Sequence, residues 1–268
     1  MIPVPGRPAA SPSVRVPSAL RSALLDALAV VAPVTCAGCG APDRAVCPAC
    51  RAAIPSAPVV RALALPAVPA PRGRVPARVV PVGSGSAYAP PWPALLSGLK
   101  EDGRTDAARA MAPTLIGAVR AALAVAERGA DPAAPARPLD AIPVPSTAAS
   151  LRRRGYAPVE VLLARAGIVP LRAPGVPGLR RHPLRFTRRP ADQAGLGVAA
   201  RAANVDGCLV ARIDLTGRRI LVIDDVLTTG ATLRETCRAV RAAGGDVVAC
   251  AVLAAVPDRS AAEEPRTR

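Results

Sequence analysis

The residues best suited to chemistry form one continuous string, Ile220-Leu221-Val222-Ile223-Asp224-Asp225-Val226-Leu227-Thr228-Thr229-Gly230-Ala231-Thr232. Four apolar residues predict a buried parallel strand, and two carboxylates follow at its carboxyl end. A Thr- and Gly-rich turn then leads into a helix predicted over residues 232–243. Because α/β sheets bind ligands at the carboxyl ends of their strands, the string predicts a binding site.

The turn at residues 228–232 suits a phosphate group. Its backbone N–H groups and hydroxyls can surround an anion at the start of a helix, where the helix carries partial positive charge. The turn has no lysine, unlike the Gly-x4-Gly-Lys-Ser/Thr loop, which disfavours a nucleoside triphosphatase. Asp224 and Asp225 suit a ribose diol or a hydrated Mg²⁺ ion. A phosphate beside a diol indicates a sugar phosphate.

The string resembles the motif with which type I phosphoribosyltransferases bind 5-phosphoribosyl-1-pyrophosphate (PRPP). The resemblance implies that the catalytic residues Asp224 and Asp225 hold the ribose 2′- and 3′-hydroxyls, with Mg²⁺ accompanying PRPP. It also implies that the 5′-phosphate is cradled by Val226, Leu227, Thr228, Thr229, Gly230, Ala231 and Thr232. An ordinary α/β sheet edge with a capped helix is the alternative interpretation.

Four of the seven cysteines form two Cys-x2-Cys pairs near the amino terminus, namely Cys36, Cys39, Cys47 and Cys50. Four thiolates suit tetrahedral Zn²⁺ with every position filled, so this spacing predicts a structural zinc site. A redox pair or incidental thiols are the alternatives. Cys208, Cys237 and Cys250 lack partner spacing and are predicted to be buried apolar residues.

Composition bounds the class of protein. A chain of 268 residues holds one α/β domain and a smaller module. The net charge of +16 favours polyphosphates and nucleic acids, whereas an aromatic content of 1% provides a poor stacking platform for single strands. No convincing targeting signal and no uncharged span of about 20 residues is present, so a cytoplasmic protein without a membrane span is expected.

Basic residues lie close to the predicted sheet. A strand predicted over residues 139–144 leads to a cluster in which Arg152 and Arg154 could bind the pyrophosphate of PRPP; a solvated basic helix face is the alternative. Lys100, the single lysine beside 34 arginines, is a candidate phosphate contact or an incidental residue. A polar segment over residues 178–204 is predicted to close over substrate, and His182 within it is predicted to be solvated rather than catalytic.

These features predict an α/β fold with a type I phosphoribosyltransferase-like parallel sheet flanked by helices, and a small amino-terminal four-cysteine zinc module. The predicted order is a disordered Pro/Ser-rich tail (1–17), a helix and the zinc module (18–54), a Pro-rich connector (55–87), the phosphoribosyltransferase-like domain (88–256) and a flexible tail (257–268).

The combined pieces resemble the ComF family, which is associated with DNA uptake in bacterial competence. The matching elements are the four-cysteine motif, Lys100 with Gly103, Pro143-Val144-Pro145, Arg154-Gly155-Tyr156, the middle-segment residues Gln193, Arg201 and Asn204, and the PRPP string. One element departs from the family, because Ala157-Pro158 follows Tyr156 where the family usually has Asn.

The resemblance implies a PRPP-binding protein linked to DNA uptake, with single-stranded DNA or uptake-machinery proteins as possible partners. A non-catalytic PRPP or nucleotide sensor, or a DNA- or partner-binding accessory module, is one alternative. A nucleobase or amine phosphoribosyltransferase of nucleotide metabolism is another. The acceptor has no legible motif, and Tyr156 and Phe186 are the aromatic candidates for reading a base.

Overall fold

A five-stranded sheet forms the centre of the computed structural model, which describes residues 34–54, 57–129, 137–175, 181–188 and 205–257. The strands are β1 (Val59–Leu65), β2 (Val68–Ala70), β3 (Gly73–Val75), β4 (Arg78–Ser84), β5 (Leu139–Pro143), β6 (Leu184–Phe186), β7 (Leu209–Ala211), β8 (Arg219–Leu227) and β9 (Asp246–Ala255). The main sheet has the order β1-β4-β9-β8-β5. Only β1 is antiparallel to its neighbour in this sheet.

Helices cover both faces of the sheet. They are α1 (Pro48–Ala52), α2 (Trp92–Glu101), α3 (Ala108–Arg128), α4 (Ala148–Arg154), α5 (Pro158–Ala166) and α6 (Ala231–Ala242). Leu221 and Ile223 share a core with α3 and α5, while Ile220 and Val222 share the opposite core with α6. The continuous apolar run of β8 follows from this double coverage, and the predicted helix-flanked, mostly parallel sheet is confirmed.

The segment predicted as a Pro-rich connector contributes strands instead. β1 and β4 pair over seven residues each, and the short β2–β3 hairpin lies between them. Leu63, Leu65, Val80 and Val82 alternate with more exposed residues and enter the core on the α6 side. The abundance of Pro and Ala hid this period-two apolar pattern in the sequence.

Apolar runs also predict strands of the main sheet at residues 168–171 and 208–212, and the structure differs at both. Residues 168–171 provide only an isolated bridge between Pro170 and Ala141. β7 pairs with β6 in a separate hairpin and does not join the main sheet. The predicted 1–17 tail, the helix expected from residue 18 to residue 33, the final residues 258–268 and the middle-segment residues Gln193, Arg201 and Asn204 lie outside the described residues.

A buried arginine attaches the β2–β3 hairpin to α6. Arg241 is only 1% exposed, and its guanidinium donates hydrogen bonds to the carbonyl oxygens of Pro66 and Pro76, which flank the hairpin. A buried charge requires such partners, because its desolvation would otherwise be costly. Arg241 thereby fixes one end of α6 against the edge of the sheet.

One helical segment among the described residues, Thr105–Arg128, is long and apolar enough to cross a membrane by length and composition alone. It comprises a 3₁₀ turn and α3. Met111, Leu115, Ala118 and Ala122 are fully buried within the core that α3 shares with the sheet. Within the apolar window of this segment, 39% is buried inside the protein.

Two glycines provide a matched test of the α3 packing. A Cβ at Gly83 on β4 would lie 2.1 Å from the backbone oxygen of Ala118, whereas a Cβ at Gly117 on α3 would meet no atom within 4 Å. Gly83→Ala should therefore lower the free energy of unfolding by about 2 kcal/mol or more. Gly117→Ala should raise it by about 0.5–1 kcal/mol, because alanine favours a helix interior. Chemical denaturation measures both changes, and shifts of the same sign would contradict this packing.

Candidate functional site

Asp224 and Asp225 lie near the carboxyl end of β8, where the sequence predicted them. Asp225 is 8% exposed, and its backbone N–H donates a 2.8 Å hydrogen bond to Oδ1 of Asp224. The next strand in the sheet, β9, pairs with β8 in parallel through this region. The two carboxylates are therefore held on a rigid element at the edge where α/β sheets bind ligands.

The only lysine of the chain reaches this carboxylate pair. Lys100 comes from the last turn of α2, and its Nζ lies 2.8 Å from Oδ2 of Asp225. Burial lowers the pKa of Lys100, but the negative charges of Asp225 and Asp224 raise it by more. The pKa of Lys100 is therefore raised above its usual value. The sequence predicted a phosphate contact for Lys100, which stays a prediction, and it did not reveal the carboxylate partner.

Asp224 is the carboxyl group most affected by its surroundings. Burial raises its pKa, and the neighbouring Asp225 carboxylate raises it further, whereas the Asp225 N–H and Lys100 oppose the change. The resulting pKa is about 7. Near neutral pH the pair therefore does not hold two full negative charges, and a cation or hydroxyl donors would favour complete ionisation.

The loop after β8 presents backbone donors at the start of α6. Gly230 precedes the helix with φ of +74°, a conformation in which a side chain would be strained. Among the described residues, the N–H groups of Thr228, Thr229 and Gly230 have no protein acceptor, and that of Ala231 reaches only Oγ1 of Thr229, at 3.4 Å. Together with the positive end of α6, these N–H groups are suited to hold an anion.

A second arginine of α6 stabilises this loop. Nη1 of Arg234 donates a 2.8 Å hydrogen bond to the carbonyl oxygen of Thr229. The guanidinium is exposed and lies close to the loop, where it adds positive charge beside the backbone donors. Arg234 carries no sequence motif, although a basic residue in the first turn of a helix that follows a Thr- and Gly-rich turn can indicate an anion site.

Glu235 and Arg238 attach the β6–β7 hairpin to α6. Buried Glu235 accepts a 2.7 Å hydrogen bond from the backbone N–H of Leu209, and Arg238 donates to the carbonyl oxygen of the same residue. The two side chains also bond to each other, with Nε of Arg238 2.6 Å from the Glu235 carboxylate. These hydrogen bonds hold β7, and through it β6, against α6. No sequence motif indicated this contact.

The Arg-Gly-Tyr element is used to cap α2. Nη1 of Arg154 donates to the carbonyl oxygen of Lys100 at 2.9 Å, and the hydroxyl of Tyr156 donates to that of Leu99 at 2.6 Å. Cationic and hydroxyl donors are favoured there because the last carbonyls of a helix lack intrahelical partners. Arg154 was predicted to bind pyrophosphate, but its guanidinium is directed to α2. Arg152 is exposed and lines a neighbouring cavity.

The four predicted cysteines converge in space. The Sγ atoms of Cys36, Cys39, Cys47 and Cys50 all lie within 4.8 Å of one another, so the cluster could hold a metal ion. Burial raises the pKa of Cys36, but the N–H groups of Cys47 and Gly38 that donate to its Sγ help lower it to about 6. Thiolate-stabilising donors of this kind suit a metal ligand.

The cysteine cluster packs on α2. Cys36, Cys47 and Cys50 belong to the same buried core as Trp92 and Leu99. The module approaches the helix closely, because a Cβ at Gly98 of α2 would lie 3.4 Å from the Cβ of Ala37. The helix that carries Lys100 is therefore supported by the cysteine module.

His182 is buried, contrary to the expectation of a solvated loop residue. Its Nε2 lies 2.8 Å from the carbonyl oxygen of Pro143, and its Nδ1 accepts a hydrogen bond from the N–H of Leu184. Burial lowers the pKa of His182 below its usual value. The neutral ring thus links the start of β6 to the end of β5.

Comparison with known proteins agrees with the geometry of this site. The sequence model of the family described as "Phosphoribosyl transferase domain" matches residues 184–267, in the carboxyl-terminal part of the chain. An orotate phosphoribosyltransferase of Nocardioides sp. is 44% identical over 82 residues, covering 30% of this chain and 41% of the relative.

Adenine phosphoribosyltransferases are also similar over the same kind of short region. The enzyme of Mycobacteroides abscessus is 39% identical over 66 residues, covering 25% of this chain and 34% of the relative. That of Mycobacterium avium is 56% identical over 41 residues, covering 15% and 23%. The chain thus spans less than half the length of these curated relatives.

The raised pKa of Asp224 predicts how stability depends on pH. An aspartate in the unfolded chain has a pKa of about 3.9, whereas Asp224 in the folded protein has a pKa of about 7. The free energy of unfolding therefore falls as the pH rises from about 4 to 7. Asp224→Asn removes this cost and can keep the bond from the Asp225 N–H. Its stability relative to the unchanged protein should therefore increase between pH 5 and pH 8, by on the order of 2 kcal/mol.

Asp225→Asn is the matched control for that measurement. It removes the ion pair with Lys100, so it should lower stability at pH 8 rather than raise it. Thermal denaturation at the two pH values measures both variants. A pH-independent effect of Asp224→Asn would show that its carboxyl group ionises normally in the folded protein.

Proposed function

We propose that this chain binds PRPP with Mg²⁺ at the carboxyl end of β8 and uses it as a phosphoribosyl donor. The observation that carries the proposal is a single strand–helix junction with two functions. Its strand supplies the Asp224–Asp225 pair, and its loop supplies backbone N–H groups without protein acceptors. A carboxylate pair beside an anion site suits the diol and the phosphate of one ribose 5-phosphate unit.

The roles of the residues follow from this placement. The loop from Val226 to Thr232 holds the 5′-phosphate, while Asp224 and Asp225 accept hydrogen bonds from the ribose hydroxyls. Lys100 and the exposed Arg152 supply positive charge for the pyrophosphate. Bound Mg²⁺ would neutralise part of the pyrophosphate charge. Binding requires Lys100 to share or leave its contact with Asp225.

The proposed transfer is a substitution at C1 of the ribose. The C1–O bond breaks and its electron pair leaves with pyrophosphate, while the lone pair of an acceptor nitrogen forms the new C1–N bond. The proton of that nitrogen passes to water. Positive charge develops on the ribose between these events, and the Asp224–Asp225 carboxylates stabilise it through the hydroxyls and by their own charge. The names of the relatives favour a nucleobase as the acceptor.

A ComF-like role in DNA uptake is the second part of the proposal, and the four-cysteine cluster carries it. A metal-binding module joined to a phosphoribosyltransferase domain fits the resemblance drawn from sequence. In this role the protein acts in the cytoplasm with single-stranded DNA or uptake proteins as partners. A non-catalytic PRPP sensor is the competing function, because the Lys100–Asp225 ion pair offers a switch between free and bound states.

Zinc is the metal that the cysteine cluster fits. A Zn–S length of about 2.3 Å requires Sγ atoms about 3.8 Å apart in a tetrahedron. The Sγ atoms of Cys39 and Cys47 are 3.7 Å apart, and all four lie within 4.8 Å of one another. All four positions would be filled by protein, so the ion would stabilise the module and α2 without meeting substrate.

Metal analysis tests the zinc assignment. The purified protein should contain about one zinc per chain, and Cys39→Ser should reduce this content at least several-fold because a closed site needs four thiolates. Cys208→Ser, which changes a buried cysteine outside the cluster, should leave the zinc content unchanged. Less than about half an equivalent in freshly purified protein would count against the assignment.

Titration calorimetry with PRPP and Mg²⁺ tests the binding site. The double variant Asp224→Asn with Asp225→Asn should weaken binding at least about tenfold, because charged hydrogen bonds to both ribose hydroxyls are lost. Asp140→Asn with Asp246→Asn removes two negative charges at positions paired with Arg218 and Arg78, and should leave binding within about twofold. Unchanged binding in the Asp224–Asp225 variant would remove the proposed function.

Release of pyrophosphate then separates catalysis from sensing. Catalysis predicts that pyrophosphate forms when a suitable nucleobase or amine is added, and that the Asp224–Asp225 variant forms at least a hundredfold less. Tight PRPP binding without release for any acceptor would favour the sensor. A single-stranded oligonucleotide titrated in parallel tests the DNA role, with duplex of the same sequence as its control.

A further inference from the structure

A cavity of about 480 Å³ opens beside the carboxyl end of β5. Pro145 and Ser146 form its edge, α4 and α5 form one wall, and the start of the β6–β7 hairpin forms the other. Its volume lies in the range of small-molecule sites. It is separate from the loop of residues 226–232, none of which lines it.

The cavity carries an excess of positive charge. Arg152, Arg185 and Arg212 all line it, and within the described parts of the chain none of their side chains has a carboxylate partner. The one acidic residue in the lining, Glu160, is already paired, because Arg172 donates to its two oxygens at 2.9 and 2.7 Å. All three arginines are exposed to solvent, so an anion that enters the cavity meets guanidinium donors.

The remaining walls are apolar or neutral. Phe186 contributes the one aromatic ring of the lining, opposite Leu151 and Ala157 on α4 and near the start of α5. His182 is held in place by its bonds to Pro143 and Leu184, and contributes no positive charge there. An aromatic face combined with guanidinium forks suits a flat ring that carries an anionic group.

The position of the cavity connects it to the proposed transfer. β5 and β8 are parallel neighbours, with Pro143 opposite Ile223, and the N–H of Val144 donates to the Ile223 carbonyl oxygen at 2.8 Å. Asp224 follows directly on β8. The carboxyl ends of both strands therefore lie at the same edge of the sheet, with the cavity beside β5 and the carboxylate pair on β8.

We propose that this cavity binds the acceptor, and that the acceptor is a planar ring that bears a carboxylate and a nucleophilic nitrogen, either in the ring or attached to it. Arg185 and Arg212 hold the carboxylate, and Phe186 contacts the ring. The acceptor nitrogen forms the bond to C1 as pyrophosphate leaves and gives its proton to water; the carboxylate is unchanged. This inference rests on the proposed function and specifies the class of its second substrate.

Tyr156 is excluded as the base-reading aromatic by the same geometry. Its hydroxyl is committed to the Leu99 carbonyl oxygen, and its ring packs against the core on the α3 side of the sheet. Phe186 is thereby the remaining candidate of the two that the sequence offered. The specificity for a carboxylate comes from Arg185 and Arg212, which belong to no recognised motif.

Two matched pairs of probes test the proposal by calorimetry, orotate against uracil and anthranilate against aniline. The members of each pair differ by one carboxylate. At least one carboxylated probe should bind the protein saturated with Mg²⁺–PRPP about tenfold or more tightly than its neutral partner, because a charged hydrogen bond accounts for at least that factor. Equal affinity within both pairs would overturn the proposal.

Single substitutions then assign the carboxylate to the cavity. Arg185→Gln and Arg212→Gln should each weaken the carboxylated probe about tenfold while leaving its neutral partner within twofold. Phe186→Leu should weaken both partners alike, because it removes the aromatic face and retains an apolar side chain. Arg120→Gln, which removes the same charge from the exposed surface of α3, is the control and should change neither.

PRPP binding by these variants keeps the two proposals distinguishable. Unchanged PRPP affinity in Arg185→Gln and Arg212→Gln, with loss of the carboxylated probe, supports the acceptor cavity. Weaker PRPP binding with unchanged probe selectivity would assign these arginines to the pyrophosphate and overturn it. If the unchanged protein does not bind PRPP, the proposed function itself is removed. The selectivity between the two members of a probe pair is a separate measurement and does not test PRPP binding.

Discussion

The ion pair between Lys100 and Asp225 joins the parts of this molecule that matter for ligand binding. Its ammonium comes from α2, which rests on the cysteine module, and its carboxylate comes from the central strand β8. Burial and the neighbouring Asp225 carboxylate together raise the pKa of Asp224 to about 7, which reflects the cost of placing two carboxylates side by side there. One cation nearby makes the arrangement tolerable, so the position of α2 determines the charge at the site.

The helix that begins at the phosphate loop is fixed along its whole length. Gly230 and Arg234 shape its first turn, the Glu235–Arg238 clamp holds β7 at its middle, and Arg241 holds the β2–β3 hairpin near its end. Backbone donors bind an anion strongly only if they need no rearrangement on binding. The hydrogen bonds along α6 therefore help to keep the N–H groups of the loop in one geometry.

Local sequence patterns predicted β8 and the start of α6, but they did not reveal contacts between residues that are far apart in sequence. β8, its two aspartates and the start of α6 are contiguous, so an apolar run followed by carboxylates and glycine was enough to find them. Lys100 and Asp225 are far apart in sequence, and no periodicity reveals that they meet. The basic neighbours of Arg154 suggested a phosphate contact, whereas its guanidinium donates a hydrogen bond to a carbonyl oxygen at the end of α2. The proline-rich composition of residues 55–87 concealed strands, because their pairing partners become apparent only in the folded sheet.

The sole lysine gives the site an unusual chemical property. All other basic side chains in this sequence, apart from one histidine, are guanidinium groups, so Lys100 carries its only ε-amine. That amine is partly exposed and sits against the carboxylate pair. Among side chains, only Lys100 therefore offers an amine to acylating reagents, beside the α-amine at the amino terminus. Because the pKa of Lys100 is raised, its amine reacts more slowly than the α-amine near neutral pH. A label attached to Lys100 in alkaline solution would lie against the Asp224–Asp225 pair.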